Sequence, residues 1–313
     1  LESGGFGWAR ETALNLYGFY TGLAFVAPVL GGWIANRWWG ERRCILVGGL
    51  LLIAGHACLS GPAVLPWLIA GGGAHGLELD LQSSGVALGV LWPDAMQQQA
   101  LIDAGGRQAL WLYRGTTLTF HGGLAMIIAG TALLKPTVSS IVATFYRRDD
   151  HRRDGAFAVF FFGLYLGGSA ANIVVGFLGE RAGWDWGFGA AGIGMTIGMV
   201  AYLWKQQAWL GDLGREAPGR QAESQAQWRQ LDRQAWQRIG VIAVQGAFTM
   251  CYAAAFYQKG GVLTLFTRDS LDRGVAGFEV PVTWLLAIST VTFLITTPLF
   301  ARYWQRRASP GRE

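Results

Sequence analysis

The chain has 313 residues, of which 52% are hydrophobic and only 14% charged, with 46 glycines and 15 tryptophans. Soluble domains carry about a quarter charged residues, so this composition excludes an ordinary water-soluble fold and points to helices packed in a bilayer. The net charge of +5 is concentrated in connecting segments, in a pattern that membrane topology explains without any nucleic acid.

Seven apolar segments follow one another: 12–35, 44–71, 120–146, 155–179, 187–208, 237–258 and 282–304. Each is predicted to be a transmembrane helix, several of them punctuated by glycines that allow close helix contacts. Gly61-Pro62 interrupts the second segment, which can therefore end as early as Ser60. No signal peptide is visible and residue 1 is Leu, so the chain reads as a fragment or a processed product.

Between the second and third segments, residues 74–119 are expected to form an external insertion. Its tail carries a turn signal, Ala104-Gly105-Gly106, between runs rich in β-formers, and predicts a small β-hairpin. Residues 209–236, rich in Gln and Arg, read as an amphipathic cytoplasmic linker. The chain thus divides into 1–208, the linker 209–236, and 237–313. Cys44, Cys58 and Cys251 lie in or beside apolar runs without metal-like spacing, so they read as packing residues.

The basic residues orient the chain. Of 25 Lys and Arg, 17 fall in one alternating set of connections (36–43, 147–154, 205–238 and 302–313), and 7 in the other. The positive-inside rule places the first set in the cytoplasm, hence the N-terminus outside and the C-terminus inside. The remaining one is Lys135. It sits inside the otherwise uncharged run FHGGLAMIIAGTALLKPTVSSIVATFY (120–146), with 15 residues before it and 11 after. At roughly 1.5 Å per residue its ammonium hangs within several ångströms of the bilayer midplane. A lysine there costs on the order of 2.5–3.5 kcal/mol, so it is a functional residue by default and needs an anionic partner. The competing reading, a side chain snorkelling to the headgroups, asks more reach than the lysine stem has from that depth.

Two loops carry motifs. GGWIANRWWGERR, between the first two segments, resembles the G-x-x-x-D-R-x-G-R-R loop of the major facilitator superfamily, with Gly32, Asn36, Arg37, Gly40, Arg42 and Arg43 as the matching positions. Asn36 stands where an aspartate is usual. The second stretch, KPTVSSIVATFYRRDDHRRDGAFAVFFFGLYLGG followed by GERAGWDWGFGAAGIGM, resembles the proton-dependent oligopeptide transporter family. That family carries K-P-N-I-S-S, a D-D-x-R-R-D loop and F-Y-x-G-I-N-x-G in this order. LNLYGFYTGLAF and GFEVPVTW match further.

The resemblance implies an all-α membrane protein with two six-helix bundles rocking about a midplane site, of which this chain looks like family helices 2 to 8. It implies a secondary transporter that moves di- or tripeptides with protons, with no cofactor and no metal, and with small peptides, protons and membrane lipid as partners. Lys135 matches the family lysine that meets the substrate carboxylate, and the arginines of the first loop are implied to bridge to the neighbouring bundle. Several positions depart from the pattern. Thr137 replaces the asparagine of K-P-N, Tyr165 that of G-I-N-x-G, and Ser289 that of S-x-N-P. Phe25 takes the place of a substrate-facing tyrosine, and Tyr257 that of a titrating glutamate. Tyr20 is a further cavity candidate. Together these changes open the alternatives of a different anionic substrate or of a truncated remnant that does not transport.

The remaining candidates have structural readings. His56 and His121 fit helix packing and an interfacial position. Trp38, Trp39, Trp184 and Trp186 fit interfacial belts, and the glycine-rich stretches lack the strand-turn-helix context of a phosphate loop. No nucleophile, base and metal constellation converges, so nothing in the sequence supports an enzyme.

Overall fold

The computed structural model describes residues 10–61, 95–146, 150, 152–215, 217 and 233–307. Helices dominate because a chain in hydrocarbon has no water to bond its backbone, and a helix satisfies each peptide group within its own segment. In chain order they are α1 (Arg10–Ile34, extended by a π-turn at Ala35–Trp39), α2 (Glu41–Leu59), α3 (Ala95–Thr144), α4 (Arg152–Arg181), α5 (Trp184–Leu210), α6 (Arg233–Phe256), α7 (Val262–Ser270) and α8 (Val282–Arg307). A 3-10 turn at Tyr257–Gly260 joins α6 to α7, and a two-stranded hairpin of β1 (Gly274–Val275) and β2 (Phe278–Glu279) precedes α8. Among the described residues seven helical stretches are long and apolar enough to cross a bilayer: Arg10–Trp39, Glu41–Leu59, Arg114–Thr144, Gly155–Arg181, Trp184–Leu210, Arg233–Ser270 and Val282–Leu299.

These match the seven apolar segments, with three adjustments. Helix α2 stops at Leu59, where the Ser60 hydroxyl donates to the carbonyls of His56 and Ala57, and residues 62–71 lie outside the described residues. The sixth segment does not end at 258 but continues through the 3-10 turn into α7. The third adjustment is a correction. Residues 95–119 are not a β-hairpin; they are the first half of the 50-residue α3, while 74–94 lie outside the described residues. Ala, Met, Gln, Leu and Arg in this stretch are strong helix formers, and a helix already nucleated by the membrane segment extends at little cost. Two adjacent glycines weaken it by about 1 kcal/mol each without stopping it. Gly106, at φ 70°, marks the distortion. The hairpin that does exist is at 274–279, where Ala276 (φ 50°) and Gly277 (φ 80°) form the two-residue turn with positive φ that matches strand twist.

Packing centres on α2, α3 and α1. A Cβ on Gly48 would lie 2.9 Å from the Gly130 carbonyl oxygen, and one on Gly55 would lie 2.9 Å from that of Gly123. The pairs 48/130 and 55/123 are one heptad apart on antiparallel helices, so two glycine pairs bring the backbones together along one seam. Helix α1 crosses α3 the same way, with Gly31 against the Ala132 backbone. Buried Leu52, Leu59 and Ile127 fill the α2–α3 seam, and buried Ala35, Cys44 and Leu133 fill the corner near α1. Helix α5 packs on α2 and α4, which joins α1 to α5 into one bundle. The second bundle is represented by α6 to α8, and α6 buries none of its residues.

Polar contacts join the bundles at one end, marked by the hairpin. There Arg10 of α1 pairs with Asp269 of α7 at 2.9 Å, and α4 lies along the start of α8. The Gly40 loop lies at the other end. We predict that Gly130→Leu, which forces a side chain into the Gly48 backbone, destabilises the fold by about 1–3 kcal/mol and lowers the melting temperature of the detergent-solubilised protein. Leucine at Gly163, where a Cβ meets nothing within 4 Å, should leave it unchanged.

Candidate functional site

Helix α3 carries Lys135 one turn beyond the Gly31–Ala132 contact. The adjacent Pro136 faces Gly32, where a Cβ would sit 3.5 Å from the proline Cβ. The lysine is therefore held on a segment clamped by α1. Its Nζ lies 4.8 Å from the centroid of the Phe25 ring on α1, a cation–π distance. Phe25 in turn packs on Tyr257 of the second bundle at 4.6 Å between centroids. Tyr165 of α4 and Tyr17 of α1 lie within electrostatic reach of the Tyr257 hydroxyl, and Tyr165 packs on Phe293 of α8 at 4.4 Å. Four residues singled out from the sequence (Lys135, Phe25, Tyr165 and Tyr257) thus gather where the two bundles face each other.

The Lys135 side chain is exposed rather than buried in protein, and among the described residues no carboxylate lies within ion-pair distance of it. Glu279 is engaged by Arg273 at 2.5 Å, and Asp149 lies outside the described residues. The site is a cation under the Phe25 ring, with Tyr257 packed on the far side of that ring.

The other two predicted positions sit elsewhere. Tyr20 packs on the Leu52–Leu59–Ile127 seam. Ser289 donates to the Leu286 carbonyl oxygen at 3.0 Å and lines an apolar groove of about 630 Å³ between α6, α7 and α8, with Lys259 at its edge. His56 Nδ1–H donates to the Leu52 carbonyl, 2.7 Å away, and His121 Nδ1–H to that of Thr117. Both are helix-packing geometries.

Sequence reasoning missed Tyr17 and Phe293. A Cβ on Gly260 would collide with the Tyr17 ring, so the glycine pair Gly260-Gly261 exists to admit that tyrosine. The glycine pair following AAFYQK was the legible signal. Phe293 left none, because an aromatic in an apolar helix is ordinary.

The loop motif departs from expectation in one respect. Asn36, Arg37 and Arg43 are exposed, and the π-turn closes with Gly40 N–H donating to the Ala35 carbonyl at 2.8 Å. Gly40 needs its positive φ of 77° and has no room for a Cβ beside the Arg215 carbonyl. Arg42, however, does not reach the second bundle. Its guanidinium donates to the carbonyls of Gly211 (2.6 Å) and Gln206 (3.4 Å), and its amide to that of Gly214 (2.9 Å). It caps the C-terminal end of α5, where unpaired carbonyls and the helix dipole favour a cation. Glu41, buried beside it, accepts from Ser140 of α3 at 3.1 Å. The loop motif here ties α2, α3 and α5 of one bundle together.

Residues 42–210 match the model of the POT family. The chain belongs to the POT family. Among curated relatives it is 27% identical over 289 residues to the uncharacterized transporter YclF of Bacillus subtilis, covering 92% of this chain and 45% of that protein. It is 24% identical to the peptide transporter YePEPT of Yersinia enterocolitica, covering 96% and 60%. It is 27% identical to a di-/tripeptide transporter of Lactococcus lactis, covering 72% and 35%. The chain therefore spans about half the length of these relatives. In fold it is similar to a crystal structure of a peptide transporter POT in complex with sulfate, with a TM-score of 0.63 at 23% identity, covering 98% of this chain and 62% of that one. A POT family transporter in complex with 5-aminolevulinic acid gives 0.62 at 18% identity, covering 97% and 63%.

Arg42→Ala should remove two charge-assisted bonds and uncap α5, lowering stability by about 1.5–3 kcal/mol in thermal unfolding of the detergent-solubilised protein. Arg37→Ala on the exposed side of the same loop should cost less than 0.5 kcal/mol.

Proposed function

We propose that this chain forms part of a secondary transporter that carries di- or tripeptides together with protons by alternating access. The observation that carries this reading is the Lys135 ammonium, set within the apolar Arg114–Thr144 span beside Phe25 and without a carboxylate partner among the described residues. Its charge is left for the carboxylate of a substrate. An anion bound there in low dielectric gains far more from the lysine than it would in water. Phe25 and Tyr257 would flank that anion, and Tyr165 would contribute a hydroxyl. The membership of the family and the peptide transporters among its relatives support the substrate class.

One observation favours a second reading of the cargo. Tyr257 stands where the family resemblance implies a titrating glutamate, and its immediate neighbours are aromatic rather than acidic. A site of this kind suits an anionic substrate with an apolar body at least as well as a zwitterionic peptide.

For topology we propose that the hairpin end faces outside and the Gly40 loop the cytoplasm, as the distribution of arginines supports. We further propose that Asn36, Arg37, Gly40 and Arg42 stiffen the cytoplasmic end of the first bundle.

In the full-length transporter Lys135→Ala should abolish concentrative peptide uptake while expression stays normal; uptake equal to the parent would refute the assigned role. Uptake competition between a dipeptide and an N-blocked aromatic carboxylate separates the two cargo readings. For topology, a cysteine at Ala276 should react with an impermeant maleimide in intact cells, and one at Asn36 only after permeabilisation.

A further inference from the structure

The carboxylate of Glu180 belongs to one bundle and its bonding partners to the other. It projects from the last turn of α4, where the partial negative charge of its own helix disfavours an anion. Its two oxygens instead reach the first turn of α8. Oε2 accepts from the Val282 amide at 3.1 Å, and Oε1 from the Thr283 amide at 3.2 Å and the Thr283 hydroxyl at 3.3 Å. Those amides are among the first N–H groups of α8, which have no partner inside their own helix. Glu180 supplies in trans what an N-cap residue supplies in cis.

The surroundings are built for this contact. Arg273, beside the hairpin, places Nη1 at 3.4 Å from Glu180 Oε2 and bonds Glu279 and the Val280 carbonyl, so the carboxylate is neutralised where it is least hydrated. The Glu180 and Arg273 side chains are only 16% and 12% exposed. One turn earlier on α4, Gly176 has no room for a Cβ against Thr283. Trp284 donates its indole N–H to the Ile173 carbonyl at 3.0 Å. Positions 173, 176 and 180 form one stripe of α4 that meets the opening turn of α8. Among the described residues the polar links between the bundles all lie at this hairpin end, whereas the Lys135 site is joined across the bundles by aromatic contacts alone.

We propose that Glu180 is a removable helix cap that latches the hairpin end shut, and that release of α8's first turn from this carboxylate is the step that opens that end. Separation leaves Glu180 at a helix C-terminus that repels it and leaves α8 uncapped, so the latch favours the closed arrangement from both sides. An ion pair alone would act on one term only. The latch is a property of the two bundles, whatever cargo passes between them.

The test uses the full-length protein in nanodiscs, with Cys44, Cys58 and Cys251 replaced by alanine and nitroxide labels at Trp186→Cys, in the first turn of α5, and Val275→Cys, both exposed positions on opposite bundles. Electron–electron double resonance then reads the distance distribution across the hairpin end. Glu180→Ala should raise the ratio of long to short distances roughly tenfold, equivalent to about 1.4 kcal/mol. Val282→Pro should raise it about fivefold with helix content unchanged, because proline is well accepted at the first helical position, is close to valine in size at this buried site and removes the N–H that bonds Glu180. If Glu180→Ala does not fold, Val282→Pro decides alone. The double exchange Glu180→Arg with Arg273→Glu should fail to restore the parent distribution, since a guanidinium accepts no hydrogen bond. Parent-like distances in Val282→Pro, or full recovery in the double exchange, would overturn the proposal.

Discussion

Everything in the first bundle depends on how closely α2 and α1 approach α3. In hydrocarbon there is no hydrophobic force between helices, since lipid tails are as apolar as leucine, so association rests on dispersion and on how near two backbones can come. The pairs Gly48/Gly130 and Gly55/Gly123, together with Gly31 against Ala132, set that distance. Dispersion falls steeply with separation, so a side chain at any of these points would loosen the whole seam. The rigid α1–α3 crossing is also what places Phe25 over Lys135: the lysine lies three residues beyond Ala132 on a helix that cannot shift along α1 without a backbone collision.

That rigidity matters for chemistry. A lone ammonium in a low-dielectric cleft acts strongly on an anion only if its position is fixed, because reorganising it would consume the interaction. Phe25 occupies the face of the ammonium with a quadrupole rather than a charge, which holds it weakly enough to be displaced by a carboxylate. The same ring touches Tyr257, so the residue packed on Lys135 is also a contact between bundles. Membership of the POT family fits this layout, and the aromatic character at Tyr257 is where this chain most departs from what the resemblance implies.

The two ends of the protein are built differently. At the hairpin end the bundles are joined by oriented polar bonds, Arg10–Asp269 and the Glu180 cluster, where buried partners make each bond directional and costly to leave unmade. At the Gly40 end, Arg42 and Glu41 spend their bonds inside one bundle. On the proposed mechanism, such an asymmetry would favour closure at the hairpin end.

The sequence by itself determined the membrane class, the seven spans, the place of Lys135 within one of them and the family motifs, because these follow from hydropathy over some twenty residues and from local spacing. It also singled out Gly40 as part of the loop motif. It misjudged residues 95–119, where β-formers and a Gly-Gly signal lost to propagation of a long helix. Only the tertiary structure decided that Phe25, Tyr257 and Tyr165 share a site with Lys135 while Tyr20 and Ser289 do not. The side on which a membrane-helix residue falls depends on helix rotation, and these helices are apolar all round, so no periodic pattern encodes it. The same holds for Arg42 and Glu180. Their charge was visible, but the helix end each one caps lies 102 residues or more away in the chain and became a partner only through packing.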